Sequence, residues 1–456
     1  MLDIKFIRNN PEVVRKAIQN KNINLDLDKL LAIDARRREL MESSETLKAE
    51  QNRKSNIGKG LLPGGDSAEG GDIRKRSGIY KSPQFDIEEL KTLKEKFKVM
   101  EHELTCVEEE FNQLMMQAPN IPSDDTPIGS DESGNKILRQ WGEIPKFRFK
   151  PKEHWELGQE LDVIDVERAA KVSGARFAYR KGDIALLEFA IIQYTFSIFT
   201  NEKMLKKILK KAKLDLSSKP FRPILPPVMI KPDVFQKMDR LEPKEERYYI
   251  PSDDSYLIGS AEHTIGAMHM DETFKEEDLP IRYIGFSTAF RREAGSYGKD
   301  MKGLIRMHQF DKLEIESFTL PECSRKEQNF IIAIIEHMIQ ELKLPYQVLI
   351  MCTGDMGKQD ARHIDIEIWM PGQNKYRETH TSDLMTDFQA RRLSTRVKRN
   401  NGETQYVHMN DATAFALSRA VVAIMENYQT EKGAIEVPKA LQKYMSGIKE
   451  IKKLRN

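Results

Sequence analysis

Residues 290–314, FRREAGSYGKDMKGLIRMHQFDKLE, bring together arginines, carboxylates and aromatic rings around a glycine-containing loop. Because alternate residues of a strand share a face, we expect Arg291 and Glu293 on one face of a first strand. The same face of a second strand would carry Arg306, His308, Phe310 and Glu314. Guanidinium groups bind phosphate oxygens in pairs and a flat ring stacks on a base, so this face suits a nucleotide. The alternative is a solvated hairpin with cross-strand salt bridges.

The composition limits the class of protein. Lys and Arg (73) nearly balance Asp and Glu (71), so any polyanion would have to bind a local basic patch. Cys106, Cys323 and Cys352 are far apart and match neither a zinc-binding spacing nor a disulfide framework. No apolar run approaches the roughly 20 residues of a membrane span, and the N-terminus lacks the apolar core of a signal peptide. We therefore expect a soluble, cytoplasmic protein with no membrane contact.

The N-terminal part contains helical patterns with a coiled-coil period. Asn10, Pro11 and Glu12 are typical of a helix start. One apolar stripe follows Leu30, Ile33, Leu40 and Leu47. A longer stripe with alternating spacings of three and four follows Leu90, Leu93, Phe97, Met100, Leu104, Val107, Phe111 and Leu114. The two stripes predict an antiparallel helical hairpin, because the glycine-rich segment within 58–86 cannot continue a helix.

This hairpin has two possible functions. It is a dimerisation element or solvated spacer, or it is a lever that holds a large polyanion by basic residues near its end. The cluster Arg74, Lys75 and Arg76 lies within the connection between the stripes. Periodicity alone does not separate the two.

Beyond the arm the pattern predicts a mixed domain of class α+β. Residues 118–135 are rich in Pro, Ser, Asp and Gly, as linkers are. Helical stretches at 184–200 and 324–342 alternate with strand-like ones. In HIDIEIWM (363–370) three isoleucines would face one way and two carboxylates the other, which predicts an antiparallel sheet with one buried face. Neither a Rossmann fingerprint nor a P-loop is present.

Other candidate ligands are dispersed. Most of the histidines His263, His269, His363, His380 and His408 are interpreted as structural, because no cysteine or carboxylate cluster lies near them at ligand spacing. The carboxylates of HIDIEIWM, Asp365 and Glu367, form either a metal pair or a polar sheet face, and the pattern favours the second.

The opening stretch closely resembles motif 2 of class II aminoacyl-tRNA synthetases, in the version found in the seryl-tRNA synthetase family. Further segments resemble that family in the same order: PILPPVM (223–229) its motif 1, LIGSAEH (257–263) its serine-binding segment, YRETHTSDLMTDFQARR (376–392) its ATP- and magnesium-binding segment, and NDATAFALSRAVVAIMENYQ (410–429) its motif 3. VSGARF (172–177) and the first 17 residues also look like family signatures. The likeness covers nearly the whole chain.

The resemblance implies three parts. Residues 1–118 would form an antiparallel coiled-coil arm that binds tRNA, with Arg74, Lys75 and Arg76 as basic contacts. Residues 119–160 would be a linker, and residues 161–456 a class II catalytic domain, an antiparallel β-sheet flanked by helices. A homodimer is implied, with the motif 1 proline at its interface.

The resemblance also implies an ATP site formed by Arg291, Arg292, Glu293, Met307, Phe310, Glu378, Thr379, His380, Thr381 and Arg419. Arg291 would bind the α-phosphate and the amino-acid carboxylate, and Arg419 the γ-phosphate. Together with Glu378 these would be the catalytic residues. Glu378 and Thr381 would hold Mg²⁺ between the phosphates, since a carboxylate and a hydroxyl suit a hard ion.

Around the base and the amino acid, the resemblance assigns further roles. Phe310 would lie under adenine, Glu293 would contact its amino group, and the main chain of Met307 would face its other edge. The serine site would comprise Ser260, Ala261, Glu262, Arg291, Glu314, Asp411 and Thr413. In that set, Ser260 and Glu262 would surround the ammonium, while Glu314 and Thr413 would read the hydroxyl. Ser260 stands where threonine is common, and Asp411 where asparagine is usual.

The activity implied is ATP-dependent activation of serine to seryl-adenylate, followed by transfer to the 3′ end of tRNA(Ser). Whether tRNA(Sec) is also charged stays open. One rival is a synthetase-like paralogue that loads an amino acid onto a carrier protein, although such relatives lack a long coiled-coil arm. Another is a catalytically inactive regulatory dimer. Loss of Arg291, Glu378 or Arg419 would have indicated such a dimer, but all three residues are present.

Overall fold

The computed structural model describes residues 1–58, 87–294 and 302–453. The chain divides into two compact units. The arm unit consists of Asp3–Arg15 and Asn24–Ala118, and the sheet unit of Met1–Leu2, Lys16–Ile23 and Pro119–Asn456.

The helices begin with α1 (Ile4–Asn9), α2 (Pro11–Asn20), α3 (Leu27–Gly58), α4 (Ile87–Gln117), α5 (His154–Glu160), α6 (Val166–Ser173) and α7 (Asp183–Phe199). They continue with α8 (Glu202–Ala212), α9 (Pro232–Lys237), α10 (Glu262–Ile265), α11 (Ser324–Glu341), α12 (Phe388–Leu393), α13 (Leu417–Asn427) and α14 (Lys439–Gln442). Within the described ranges, no single helix is long and apolar enough to cross a membrane. The helices α7 and α8 have the length and composition of a membrane span only when they are taken together, and the chain bends by 74° between them.

The strands up to the first long hairpin are β1 (Lys136–Trp141), β2 (Ile164–Asp165), β3 (Tyr179–Arg180), β4 (Arg222–Ile224), β5 (Met229–Ile230), β6 (Tyr248–Ile250), β7 (Ser255–Leu257), β8 (Thr273–Lys275), β9 (Ile281–Phe290) and β10 (Gln309–Thr319). The remaining strands are β11 (Tyr346–Ile350), β12 (Arg362–Met370), β13 (Lys375–Thr386), β14 (Arg396–Lys398), β15 (Thr404–Tyr406), β16 (His408–Ala416), β17 (Ile435–Glu436) and β18 (Glu450–Ile451).

The predicted antiparallel hairpin is confirmed in the arm unit. Lys29 near the start of α3 pairs with Glu110 near the end of α4 at 2.7 Å, whereas Arg36 pairs with Glu103 at 2.5 Å. The residue numbers of the partners on α4 therefore decrease as those on α3 increase, so the two helices run antiparallel. The apolar stripes supply the buried side chains Leu30, Leu40, Leu93 and Phe111. The connection 59–86, with Arg74, Lys75 and Arg76, lies outside the described residues.

One eight-stranded sheet organises the sheet unit, in the order β1-β11-β12-β13-β16-β10-β9-β4. Neighbouring strands pair antiparallel except β4 with β9, which confirms the α+β prediction. The helices predicted at 184–200 and 324–342 are α7 and α11. On β12 the side chains of Ile364, Ile366 and Ile368 are fully buried, as their alternation predicts.

The two faces of this sheet have different roles. One face is apolar and is covered by α11 and α13, with Leu313, Ile315, Ala412 and Ala414 in the shared core. Since side chains alternate along a strand, the intervening residues of β10 and β16 project from the opposite face. That opposite face carries the polar residues of the candidate site.

Residues 119–160, predicted as a linker, belong to the sheet unit. The buried Asn120 donates from Nδ2 to the carbonyls of Gln359 (2.9 Å) and Met385 (2.7 Å). The main-chain N of Ser123 donates to the carbonyl of Ala361 at 2.7 Å. Within the same range β1 pairs with β11 at the edge of the large sheet.

The strand boundaries around the opening stretch differ from the prediction. Arg291 and Glu293 were expected on the first strand, but β9 ends at Phe290; Arg306 and His308 were expected on the second, but β10 begins only at Gln309. The chain leaves the sheet here because Glu293 adopts a positive φ of 52° and the N–H of His308 donates to the carbonyl of Arg176 at 3.1 Å. The prediction was wrong in extending the ladder across these four residues.

Candidate active site

The strand register aligns the residues of the polar face in two rows that run across the strands. In the first row Thr381 lies opposite both Asp365 and Thr413, and Thr413 lies opposite Glu314. In the second, the cross-strand neighbours run in the order His363, Asp383, Asp411 and Glu316. Directly opposite residues have adjacent side chains, so four strands bring together residues that are far apart in sequence.

A cavity of about 180 Å³ opens on this face. Its lining residues are Arg240, Glu262, Arg291, Glu293, Ile305, Met307, Phe310, Lys312, His363, Glu378, Thr381, Asp383, Thr413, Ala416, Ser418 and Arg419. Most of the residues predicted for ATP and serine binding are therefore in one place.

One end of the cavity combines a cation with an aromatic ring. The guanidinium of Arg291 lies 5.5 Å from the ring centre of Phe310, and its Nε donates to the carbonyl of Gly259 at 3.1 Å. This contact fixes the side chain in the cavity while leaving its terminal nitrogens available for an anion. Glu293 lies alongside and accepts from Arg306 at 3.1 Å. The arrangement suits a purine nucleotide, with a ring for the base and a guanidinium for a phosphate.

A further cation of the cavity comes from the first turn of α13. Arg419 donates from one terminal nitrogen to the Glu378 carbonyl at 2.9 Å and lies 3.1 Å from its Oε1. Burial raises the pKa of Glu378, but the positive charges of Arg419 and Arg291 outweigh it, so the pKa falls below its ordinary value. The carboxylate is thus held ionised. Nearby, the Thr381 hydroxyl donates to the hydroxyl of Thr413 at 3.0 Å.

Glu314 is the centre of a buried polar pocket. Its Oε1 accepts from Ser260 Oγ (2.8 Å), Lys312 Nζ (2.7 Å) and Thr413 Oγ1 (3.1 Å). Its Oε2 is buried and has no hydrogen-bond partner among the described residues. Such an oxygen is costly unless a ligand satisfies it.

The two glutamates of this pocket differ in charge. Burial raises the pKa of Glu314 to about 8, against the lowering effect of Lys312. Burial also acts on Glu262, but the charges of Arg240, Lys312 and His263 outweigh it and hold its pKa well below the ordinary value. At neutral pH the pocket therefore contains a carboxylate at Glu262 and a predominantly protonated carboxyl at Glu314, which can both donate and accept.

Beneath the cavity a cation missed by sequence reasoning meets several carboxylates. Arg240, in the segment after α9, lies 2.8 Å from Asp411, 3.2 Å from Glu262 and 3.8 Å from Asp383. Asp411 is thus beside the serine pocket but paired with Arg240. Nothing in the sequence around Arg240 indicates this contact, which depends on the packing of the segment against the sheet.

Lys312 was also missed, although a signal existed. It lies between Phe310 and Glu314 in the same alternating register of β10, so it shares their face. Asp383 stands in the same relation to Thr381 on β13. Applying strand alternation beyond the family motifs would have found both.

Seven residues assigned to the site do not line this cavity: Ser260, Glu314 and Asp411 are buried and contact residues that do, and four others lie elsewhere. Arg292 is exposed, with its guanidinium 5.6 Å from the ring centre of Tyr248. Ala261 is fully buried in a separate apolar cluster. Thr379 donates to the carbonyl of Ile366 at 3.2 Å, and the buried ring of His380 packs on Phe415 at 4.7 Å. A shift of register between β12 and β13 at this point turns Glu378 and Thr381 towards the cavity and His380 towards the core.

The histidines His263 and His380 have structural roles, whereas His363 is an exception. Burial lowers the pKa of His380 to about 3, so that ring is neutral. His263 is buried and accepts at Nδ1 from the N–H of Gly259 at 3.2 Å, as expected of a structural residue. His363, in contrast, lies among Asp360, Asp365 and Asp383. Asp365 and Glu367 line a second groove that also contains Glu378 and Thr381.

Comparisons with known proteins agree with this geometry. The sequence model of the seryl-tRNA synthetase N-terminal domain matches residues 1–122, and that of the tRNA synthetase class II core domain (G, H, P, S and T) matches residues 247–428. The chain is 37% identical over 449 residues to a serine–tRNA ligase of Symbiobacterium thermophilum, across 97% of this chain and 98% of the relative. It is 38% identical over 454 residues to the corresponding protein of Syntrophotalea carbinolica, across 99% and 100%.

A solved structure gives the same result. The seryl-tRNA synthetase of Pyrococcus horikoshii complexed with ATP superposes with a TM-score of 0.84 and 34% identity, and the match covers 100% of both chains. The chain belongs to the seryl-tRNA synthetase family.

Proposed function

We propose that this chain is a serine–tRNA ligase, which activates serine with ATP to seryl-adenylate and transfers the seryl group to the 3′ end of tRNA(Ser). The observation that carries the proposal is the convergence of Arg291, Glu378 and Arg419 with the Glu314 pocket around one cavity. Relatives that share this architecture over their full length are serine–tRNA ligases.

Arg291 and Arg419 would bind opposite ends of the triphosphate. Arg291 is placed between the ring of Phe310 and the serine pocket, so it is suited to the α-phosphate and the attacking carboxylate. Attack of that carboxylate on the α-phosphorus forms the acyl–phosphate bond and expels pyrophosphate. Negative charge builds on phosphorus in this step, and a guanidinium fixed in advance stabilises it most in the transition state.

The carboxylate and hydroxyl of Glu378 and Thr381 fit a magnesium ion that accompanies ATP. Both line the cavity, both offer oxygen, and the lowered pKa of Glu378 keeps it ionised. Mg²⁺ bound there would neutralise charge on the phosphates. Arg419, 3.1 Å from Glu378 Oε1, would exchange part of this contact for the γ-phosphate.

The Glu314 pocket would read the serine hydroxyl. Among the described residues Oε2 of Glu314 accepts no hydrogen bond, and Thr413 is adjacent, so a small hydroxyl would complete the network. Ser260 and the ionised Glu262 would face the substrate ammonium. A site built to hydrogen-bond a hydroxyl rejects analogues that lack one, because its own polar groups are then left unpaired.

Further parts of the proposal concern partners. The arm helices α3 and α4 would hold tRNA(Ser), with Arg74, Lys75 and Arg76 as contacts. A second copy of the chain would cover the exposed apolar residues of the motif 1 segment 223–229, of which Leu225 is 77% exposed. We also place the reaction in the cytoplasm, in keeping with three unpaired cysteines.

ATP–pyrophosphate exchange, measured separately with each amino acid, tests the proposal. We expect exchange with serine and, in a second assay, serine-dependent charging of tRNA(Ser). A folded protein that exchanges with no amino acid would support the regulatory-dimer alternative and overturn the proposal. Exchange without charging of any tRNA would instead favour loading of a carrier protein.

A further inference from the structure

We propose that Asp360, His363 and Asp383 form a binding site for one divalent transition-metal ion, distinct from the magnesium ligands Glu378 and Thr381. A ligand atom from each of the three side chains lies within 4.8 Å of the others. His363 Nδ1 is 2.5 Å from Asp383 Oδ1 and 3.6 Å from Asp360 Oδ2. Separations of this size allow three ligands to share one ion after small side-chain movements, since metal–oxygen and metal–nitrogen bonds are about 2.0–2.2 Å.

The orientation of the imidazole is that of a metal ligand. His363 Nε2 is 2.8 Å from Asp365 Oδ1, which suits donation of its proton to this carboxylate. Ligating histidines commonly donate their second nitrogen to a carboxylate, which fixes the ring and increases its basicity. Nδ1 is then left to face Asp360 and Asp383. Because His363 and Asp383 are cross-strand neighbours on β12 and β13, the sheet itself holds them together.

Buried atoms without partners point independently to a ligand. Asp360 Oδ1 is buried and has no hydrogen-bond partner within the described part of the chain, and the buried atoms His363 Nδ1 and Asp383 Oδ1 form no hydrogen bond apart from the ion pair of 2.5 Å between them. The carboxylates of Asp360 and Asp383 are almost inaccessible, at 1% and 6% exposure. Native proteins seldom leave buried polar atoms unsatisfied. A cation between the three residues would satisfy them together.

The loop that carries Asp360 is held in place. The buried Lys21 donates from Nζ to the carbonyls of Gly357 (3.1 Å), Lys358 (3.1 Å) and Asp360 (2.6 Å). The N–H of Gly357 donates to Asp360 Oδ2 at 2.9 Å. A ligand fixed before the ion arrives loses little entropy on binding.

The neighbouring cation leaves room for an ion. Arg240 contacts Asp411 and Glu262 at 2.8 and 3.2 Å, and it approaches Asp383 through Oδ2 at 3.8 Å, not through Oδ1. Two carboxylates with one imidazole favour Zn²⁺ or Mn²⁺ over Mg²⁺ or Ca²⁺, which prefer oxygen ligands alone. The ion could enter from the cavity, which His363 and Asp383 both line.

Zn²⁺ binding by the full-length protein, without ATP, serine or tRNA, tests the site. The protein is stripped with a chelator and titrated with Zn²⁺ in competition with a chromophoric chelator, and its thermal midpoint is followed in parallel. We expect one tight Zn²⁺ per chain and a raised midpoint. His363→Gln and Asp383→Asn should abolish tight binding, and Asp365→Asn should weaken it about 10- to 100-fold by releasing the ring. Glu378→Gln is the matched control and should keep the Zn²⁺ site.

The outcomes separate this site from others and from the proposed function. Tight binding that persists in His363→Gln would place the ion elsewhere and overturn the inference, as would no tight binding by the wild type. Circular dichroism identifies a variant that fails to fold, and Asp365→Asn then decides, because it keeps all three ligands. Serine-dependent exchange by a protein that binds no Zn²⁺ would refute the metal site alone.

Discussion

The guanidinium of Arg240, which lines the candidate catalytic cavity, lies 2.8 Å from the buried carboxyl group of Asp411. Asp411 was expected to act on serine directly, but in the structure its carboxyl group contacts Arg240. Burial, together with Glu262 and Asp383, raises the pKa of Asp411 well above its ordinary value, and Arg240 opposes this. The contact with Arg240 therefore limits how far the pKa of Asp411 rises.

Removing one partner of this pair should destabilise the fold. Arg240→Gln leaves Asp411 and Glu262 without their cation, and we expect a loss of about 3–5 kcal/mol in the free energy of unfolding. Adding Asp411→Asn should restore part of it, because the amide can hydrogen-bond to the introduced glutamine and leaves no ionisable group at this buried position. Denaturant unfolding of both single variants and the double variant measures the interaction energy. Additive losses would show that the two side chains act independently.

Asp411→Asn alone should alter substrate binding. The amide replaces a carboxyl group that contacts both Arg240 and the surroundings of the serine pocket, while the groups around phosphorus are unchanged. We expect the KM for serine to change more than kcat in the exchange assay. A change confined to kcat would mean that Asp411 acts on the chemical step.

Two adjacent arginines provide a matched comparison. Arg291→Ala should reduce exchange by about 3 kcal/mol or more of transition-state stabilisation, since Arg291 lines the cavity. Arg292→Ala should cost less than about tenfold in rate, because that side chain lies over Tyr248 at the surface. Equal losses in the two folded variants would contradict the assignment of Arg291 to the α-phosphate.

Sequence patterns predicted the elements better than the contacts between them. Alternation in HIDIEIWM and the heptad stripes identified β12, α3 and α4, because one buried face imposes a period on the sequence. Family likeness identified Arg291, Glu378 and Arg419, which meet in the cavity.

The contacts that were missed depend on register and on loops. Asp383 meets His363 only because β12 and β13 pair as they do, and Arg240 reaches the site from the segment after α9. Neither contact produces a periodic pattern in the sequence. The end of the strands at Arg291 and His308 was missed for a similar reason: the N–H of Arg291 still donates to the carbonyl of His308, but the N–H of His308 donates to Arg176, which lies outside the large sheet.

The stability of the fold should depend on pH through Glu314. Its pKa is about 8 in the folded state, above the ordinary carboxyl value, so the folded state binds more protons than the unfolded state between these limits. The contribution is therefore fully present below the unfolded pKa and is lost as pH rises to about 8. Glu314→Gln, which cannot ionise, should lack this part of the decline. Parallel pH profiles of unfolding free energy would contradict the raised pKa.

Deletion of the arm should separate the two half-reactions. Residues 28–112 can be removed with a short bridge, because Lys29 and Glu110 form a salt bridge of 2.7 Å and the cut ends are therefore close. Every residue proposed for adenylation lies in the sheet unit, so serine-dependent exchange should persist while charging of tRNA(Ser) is lost. Charging that survives the deletion would mean that the arm is a spacer or a dimerisation element.

Serine selection should depend on the unpaired oxygen of Glu314. Alanine and glycine would leave Oε2 without a ligand partner, at a cost of about 1–3 kcal/mol. Threonine keeps the hydroxyl and is excluded only by the space for one methyl group, a filter of similar or smaller size. The main error should therefore be threonine.

Exchange with serine, threonine and alanine, in the wild type and in Thr413→Ala, measures this selection. In Thr413→Ala the advantage of serine over alanine should fall, because one of the two groups that contact the hydroxyl is gone, while ATP binding should change little. Lys312 and Ser260 still hold Oε1 of Glu314 in the variant, so the carboxyl keeps its position. Activation of alanine above threonine in the wild type would show that Glu314 does not read the hydroxyl.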